Sequence, residues 1–234
     1  MNELTEIEKR FAVGIGTLLD GDLIGFDKED PQYWPEIRDR MKRIAFHEAG
    51  HFVAKLFTEL ELHHVVKISI IRDAKGYGYV MSERPFARAT LDLRPPPMQR
   101  SSGRMLLIHT LAGYGAESIW DQSNEWNSIY EFWNSLHYFD DVYLEDDSDY
   151  NEAFQIAEIV KKPFMPVSRI LTLADKWTLE MLQIPAVWNA VETVATKLIE
   201  KGEITDGSED YNSIMYNTNC PNAYSFIKWR RRLF

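Results

Sequence analysis

The stretch Glu36-Ile-Arg-Asp-Arg-Met-Lys-Arg-Ile-Ala-Phe-His-Glu-Ala-Gly-His51 decides how the rest of the chain is read. Ile37, Met41, Ile44 and Ala45 recur at three- and four-residue steps, and Phe52, Val53, Leu56 and Leu60 carry the same period onward. Apolar residues at that spacing fall on one side of a 3.6-residue turn, so an amphipathic helix is expected over about residues 36–61. Pro31 and Pro35 mark the turn that enters it.

Working outward, residues 64–71 (His-Val-Val-Lys-Ile-Ser-Ile-Ile) are rich in β-branched side chains and short enough to be a strand. Asp73, Ala74, Lys75 and Gly76 read as a turn, and residues 77–81 as the returning strand of a hairpin. Three prolines at 95–97 break the chain ahead of a second helix over about 99–120, in which Gly113 and Gly115 suggest close packing. Residues 121–147 mix Trp126, Tyr130, Phe132, Trp133, Tyr138, Phe139 and Tyr143 with many acids, with a short helix expected near 126–137. Further helices are expected over 148–162, ended by Pro163 and Pro166, then over 167–182 and 186–201. Residues 1–30 give weak, mixed signals, and 215–234 read as a terminal extension. The expected architecture is mainly α (α+β), a single domain over 1–234 with its core at about 36–214. It would be a zincin-like helical domain with a small β-hairpin or sheet beside the first long helix.

Composition narrows the function. The chain has 234 residues, enough to bury a core without disulfides, and its one cysteine, Cys220, leaves no internal disulfide to form. The acidic, polar start lacks the basic and apolar run of a signal peptide, and no stretch reaches the ~18 apolar residues of a membrane span. A soluble, cytoplasmic protein is therefore expected. A net charge of −10 argues against general nucleic-acid binding, the basic run 228–232 reading as a solvated tail.

His47-Glu48-Ala49-Gly50-His51 fits H-E-x-x-H on a helix. Residues four apart stand one turn above each other on the same face, so two imidazoles can meet one zinc ion at ~2.0–2.1 Å each. The residue after the first histidine projects beside the metal, where a carboxylate can take a proton from water. One Zn2+ per chain is thus expected, with His47 and His51 as ligands and Glu48 as catalytic base. A catalytic zinc needs a third protein ligand. The metzincin pattern is excluded, because Ala54 and Phe57 stand where its glycine and third histidine belong.

Four segments, in order, resemble the peptidase domain of the FtsH-type AAA zinc proteases. These are residues 43–51 around the histidine pair, the strand and hairpin at 66–71 and 76–81, Leu111-Ala-Gly-Tyr-Gly-Ala-Glu117, and Ser148-Asp-Tyr-Asn-Glu-Ala-Phe-Gln-Ile-Ala157. A weaker match spans 198–207, so the likeness covers about 36–214. The resemblance implies Asp149 as the third zinc ligand, with Asp146 and Asp147 as nearby competitors. It implies Glu117 as a partner that orients a ligand histidine, although Glu117 could instead be the third ligand, as in glutamate zincins. It also implies hydrolysis of peptide bonds in a polypeptide substrate. The strand at 65–71, through Val66, Ile68 and Ile70, is expected to take an extended substrate by edge pairing.

The departures are specific. No G-x-x-x-x-G-K-[ST] occurs, so the phosphate loop of the family's ATPase module is missing and ATP is not an expected partner. Gly113-Tyr114 replaces the family's Gly-Arg, and the segment after 121 is longer and more aromatic. An ATP-independent zinc metalloendopeptidase acting on unfolded or flexible polypeptides is the expectation. The alternative is a catalytically silent module of the same fold with a binding or regulatory role.

Overall fold

The computed structural model of the chain describes residues 3–18, 30–57, 65–71, 79–82, 96–121 and 149–218. These form seven α-helices, a short 3-10 turn and three strands, the mainly α architecture with a small sheet that was expected. The aromatic segment 121–147, with its expected short helix, lies outside the described residues after Asp121. So does the tail beyond 218.

Helix α1 (Glu6–Leu18) was not expected. A capping box opens it: the Glu8 N–H donates to Thr5 Oγ1 at 3.2 Å, and the Thr5 N–H donates to Glu8 Oε2 at 2.6 Å. Leu4, Phe11 and Ala12 are buried in the main core, so the packed unit starts well before residue 36. Arg38 of the next helix donates to Glu8 at 2.8 Å and ties the two together.

Helix α2 (Trp34–Phe57) follows the turn Pro31–Tyr33, with Asp30 accepting from the Gln32 N–H. It starts slightly earlier than expected, because Pro35 falls in its first turn, where a missing N–H costs nothing. The same physics corrects the next boundary. Helix α3 (Pro96–Asp121) begins within the proline run rather than after it. Helix α4 (Asp149–Val160) ends before Pro163, and α5 (Val167–Leu182) has the expected bounds. Helix α6 (Pro185–Lys201) carries its proline in the first turn.

Helix α3 is the spine. Met105, Ile108, Ala112 and Ala116 face the main core with α2, while Leu106, Leu107 and Leu111 pack against α4 and α5 through Ala153, Ile156, Ala157 and Leu171. Gly50 makes the α2–α3 crossing close. A Cβ placed there would run into the Ala112 carbonyl oxygen and stand 2.8 Å from the Ala116 Cβ.

The sheet corrects one expectation. Strands β1 (Val65–Ser69) and β2 (Tyr79–Ser82) form the hairpin, but a third strand, β3 (Glu203–Thr205), pairs antiparallel on the other side of β1. The order is β2-β1-β3. Gly202 makes this possible: it caps α6 at φ 80°, a conformation that suits glycine, and turns the chain straight into β3. Its carbonyl accepts from the Ile70 N–H at 2.9 Å, and the Val66 carbonyl accepts from the Asp206 N–H at 2.8 Å. Strand β1 is therefore central, both its edges are taken, and Ile68 and Ile70 are fully buried. The edge pairing expected through Val66, Ile68 and Ile70 has no free edge there. Helix α7 (Glu209–Thr218) follows, so 215–218 continue a helix rather than opening an extension.

Candidate metal centre

Helices α2 and α3 run antiparallel through the site, so that His47 faces Glu117 and His51 faces His109. On α3, His109, Gly113 and Glu117 are spaced four apart and share the face turned to the histidine pair. The chemistry of each imidazole follows from what its Nδ1 meets. His47 Nδ1 lies 2.5 Å from Glu117 Oε1, and His51 Nδ1 lies 2.8 Å from the His109 carbonyl oxygen. A carboxylate and a carbonyl only accept, so each Nδ1 carries the proton and donates. In the neutral ring the Nε2 lone pair is then free.

Those two Nε2 atoms lie 2.9 Å apart. One oxygen of Asp149, Oδ2, lies 3.1 Å from His47 Nε2 and 3.0 Å from His51 Nε2. Three acceptors thus converge within 3.1 Å of one another, an arrangement that repels itself unless protons or a cation sit among them. Donors at ~2.0 Å from a tetrahedral zinc stand ~3.3 Å apart, close to the spacing here. His47, His51 and Asp149 are the one cluster among the described residues able to hold a metal ion.

Gly113 leaves the space beside these nitrogens open. A Cβ there would lie 2.5 Å from His51 Nε2 and 2.6 Å from both Nε2 and Cε1 of His47, pressing on the two rings where they converge.

The electrostatics point the same way. Burial pushes the His47 imidazole down, but hydrogen bonds to Asp149 and Glu117 outweigh it and lift the pKa to about 10. His51 is also raised, burial again opposing and Asp149 prevailing. Burial would push Asp149 up, yet the His51 charge and the two hydrogen bonds hold it far below the usual carboxylate range. The site is built to attract positive charge.

Glu48 behaves differently. It is buried, only 5% exposed, and burial pushes its carboxyl up to about 7 despite the two imidazoles beside it. Among the described residues no hydrogen bond engages it. A carboxyl that takes and releases a proton near neutrality suits a general base.

The structure brings together His47, His51, Asp149 and Glu117; Asp146 and Asp147 lie outside the described residues. Glu117 meets the Nδ1 of His47 and not the Nε2 convergence, which is the geometry of an orienting partner. Arg43, one turn before His47, lies 4.0 Å from Glu117 and 3.5 Å from Asp121 and supports it. Sequence reasoning missed the role of His109. Its contribution is a backbone carbonyl, which side-chain motifs do not report. It also missed the ring contacts of Tyr114, which stands edge-on to His47 with centroids 4.9 Å apart and stacks on Tyr150 at 4.3 Å. No described helix is long and apolar enough to cross a membrane. Compared with protein-family models and with curated protein sequences, the chain matches none.

Proposed function

We propose that this chain is a zinc-dependent endopeptidase that cleaves flexible polypeptides without ATP. The observation that carries the proposal is the meeting of two imidazole Nε2 atoms and one carboxylate oxygen within 3.1 Å, next to a buried glutamate on the same helix. The ordered likeness of four segments to FtsH-type peptidase domains adds support. Two histidines and a carboxylate also suit ferrous iron. Glu48, buried and adjacent to the first histidine on the same helix, weighs for hydrolysis.

Zinc held by His47, His51 and Asp149 would bring water into proton-losing range near neutral pH and polarise the scissile carbonyl. The chain's own residues do the rest. Glu48 accepts the proton of the attacking water and returns it to the departing amine. Glu117 and the His109 carbonyl hold the two rings with their Nδ1 protons turned away from the reaction. With β1 enclosed, β2 is the strand beside α2 whose outer side pairs with no other described strand, and it is the better candidate to align an extended substrate.

The test is elemental analysis of the purified protein together with digestion of an unstructured protein, with and without a chelator. About one zinc per chain and chelator-sensitive, ATP-indifferent cleavage are expected. Stoichiometric iron, or metal without cleavage, would redirect the reading to another metal reaction or to a silent module.

A further inference from the structure

The ligand Asp149 stands on the first residue of α4, ahead of the part of that helix locked into the core. Ala153, Ile156, Ala157 and Val160 are buried against α3 and α5, whereas residues 149–152 are not. A metal ligand must sit within ~0.2 Å of its place, while each residue of a helix advances ~1.5 Å. The first turn therefore needs its own fixing point, and the next residue supplies one. Tyr150 stacks on Tyr114 with centroids 4.3 Å apart and planes 24° from parallel. Tyr114 in turn stands edge-on to His47, at 4.9 Å and 87°. Its position on α3 immediately follows Gly113, whose missing side chain leaves room for the two imidazole rings.

We infer that Tyr114 and Tyr150 are positioning residues for the metal centre, a stacked pair that locks Asp149 to His47 in the geometry three ligands require. Tyrosine suits the task because it has only two side-chain torsions and a flat face. Stacked and edge-to-face ring pairs add about 0.5–1.5 kcal/mol beyond their buried area. One ring thus touches both ligand-bearing helices: Tyr114 fixes the α2 imidazole by its edge contact and the α4 carboxylate through its neighbour's ring. The inference rests on the metal-binding reading of the site and not on peptide hydrolysis.

Cobalt(II) binding to the full chain tests it, because four-coordinate cobalt absorbs visible light far more strongly than six-coordinate cobalt. Tyr114→Leu and Tyr150→Leu remove the stack from either side, and Tyr114→Phe keeps it without the hydroxyl. Both leucine variants are expected to bind cobalt about 10–100-fold more weakly, as loss of an orienting partner does. Their spectra should weaken as Asp149 drifts and water replaces it. The double leucine variant should be no worse than the poorer single, since one stack cannot be lost twice. Tyr114→Phe should bind like the parent. Should Tyr114→Leu fail to fold by far-ultraviolet circular dichroism, Tyr150→Leu carries the test, its ring being part exposed. Leucine variants with parental affinity and spectrum would overturn the inference. A Phe variant as weak as Leu would overturn the stack as cause and move the role to the hydroxyl. A parent that binds no cobalt would remove the metal site itself, a failure distinct from the other two.

Discussion

His47 Nε2 and His51 Nε2 lie 2.9 Å apart, one helical turn from each other on α2, and both face the same oxygen of Asp149 from across the fold. With both Nδ1 protons committed elsewhere, the two Nε2 atoms and the Asp149 oxygen would repel one another unless protons or a metal ion sat among them. The relationship makes sense around a cation, and several consequences follow from the residues that surround it.

Gly113 and Gly50 should separate binding from stability. Gly113→Ala places a methyl within 2.6 Å of both Nε2 atoms and should abolish metal binding while the helices stay folded. Gly50→Ala presses on the Ala112 backbone, which cannot swing aside. It should destabilise the protein by about 1–3 kcal/mol through overpacking, offset in part by the ~1 kcal/mol helix advantage of alanine. Paired measurements of zinc affinity and thermal unfolding check both.

Glu117→Gln should be milder than loss of a ligand. The amide oxygen can still accept from His47 Nδ1, but the negative charge that strengthens the imidazole is gone. A loss of about 10–100-fold in zinc affinity or activity is expected, with the ion still bound at millimolar zinc. Total loss of metal would instead make Glu117 a direct ligand.

Glu48→Gln should leave zinc stoichiometry unchanged and lower cleavage by a factor on the order of 10²–10⁴, because glutamine keeps the shape but cannot take a proton. Full activity in this variant would remove Glu48 from the chemistry.

The Glu8–Arg38 pair should make folding acid-sensitive. Burial acts to raise the Glu8 carboxyl, but Arg38 and the Thr5 N–H outweigh it and hold its pKa below the ordinary 4.5. A depressed folded-state pKa means the stabilisation is present above the unfolded value and lost as pH falls through the folded one. Glu8→Gln should therefore cost about 1 kcal/mol near neutrality, and the gap in melting temperature from the parent should close below about pH 4. A gap that widened on acidification would contradict this.

Much of this was legible in the sequence, and the reasons are physical. The period of Ile37, Met41 and Ala45 predicts α2, and the four-residue spacing of His47 and His51 predicts their shared face. The helix expected over 148–162 begins one residue in, at Asp149, and ends at Val160, ahead of Pro163. What escaped was of other kinds. The capping box of Thr5 and Glu8 was a readable signal, overshadowed by glycines at 14 and 16 and by the acids that follow. Strand β3 has three residues and owes its place to Gly202 and to β1, so no local pattern announces it. Without β3, β1 reads as an edge strand. The Tyr114–Tyr150 stack joins residues far apart in the chain, which composition and periodicity cannot connect.

The proposed zinc site is open to direct observation by anomalous diffraction at the zinc absorption edge from crystals of the purified chain. A single peak is expected, ~2.0–2.2 Å from His47 Nε2, His51 Nε2 and an Asp149 carboxylate oxygen, with Glu117 beyond coordination distance. No peak among these three residues in zinc-supplemented crystals, or a peak bound by Glu117 with Asp149 turned to solvent, would contradict the metal centre described above.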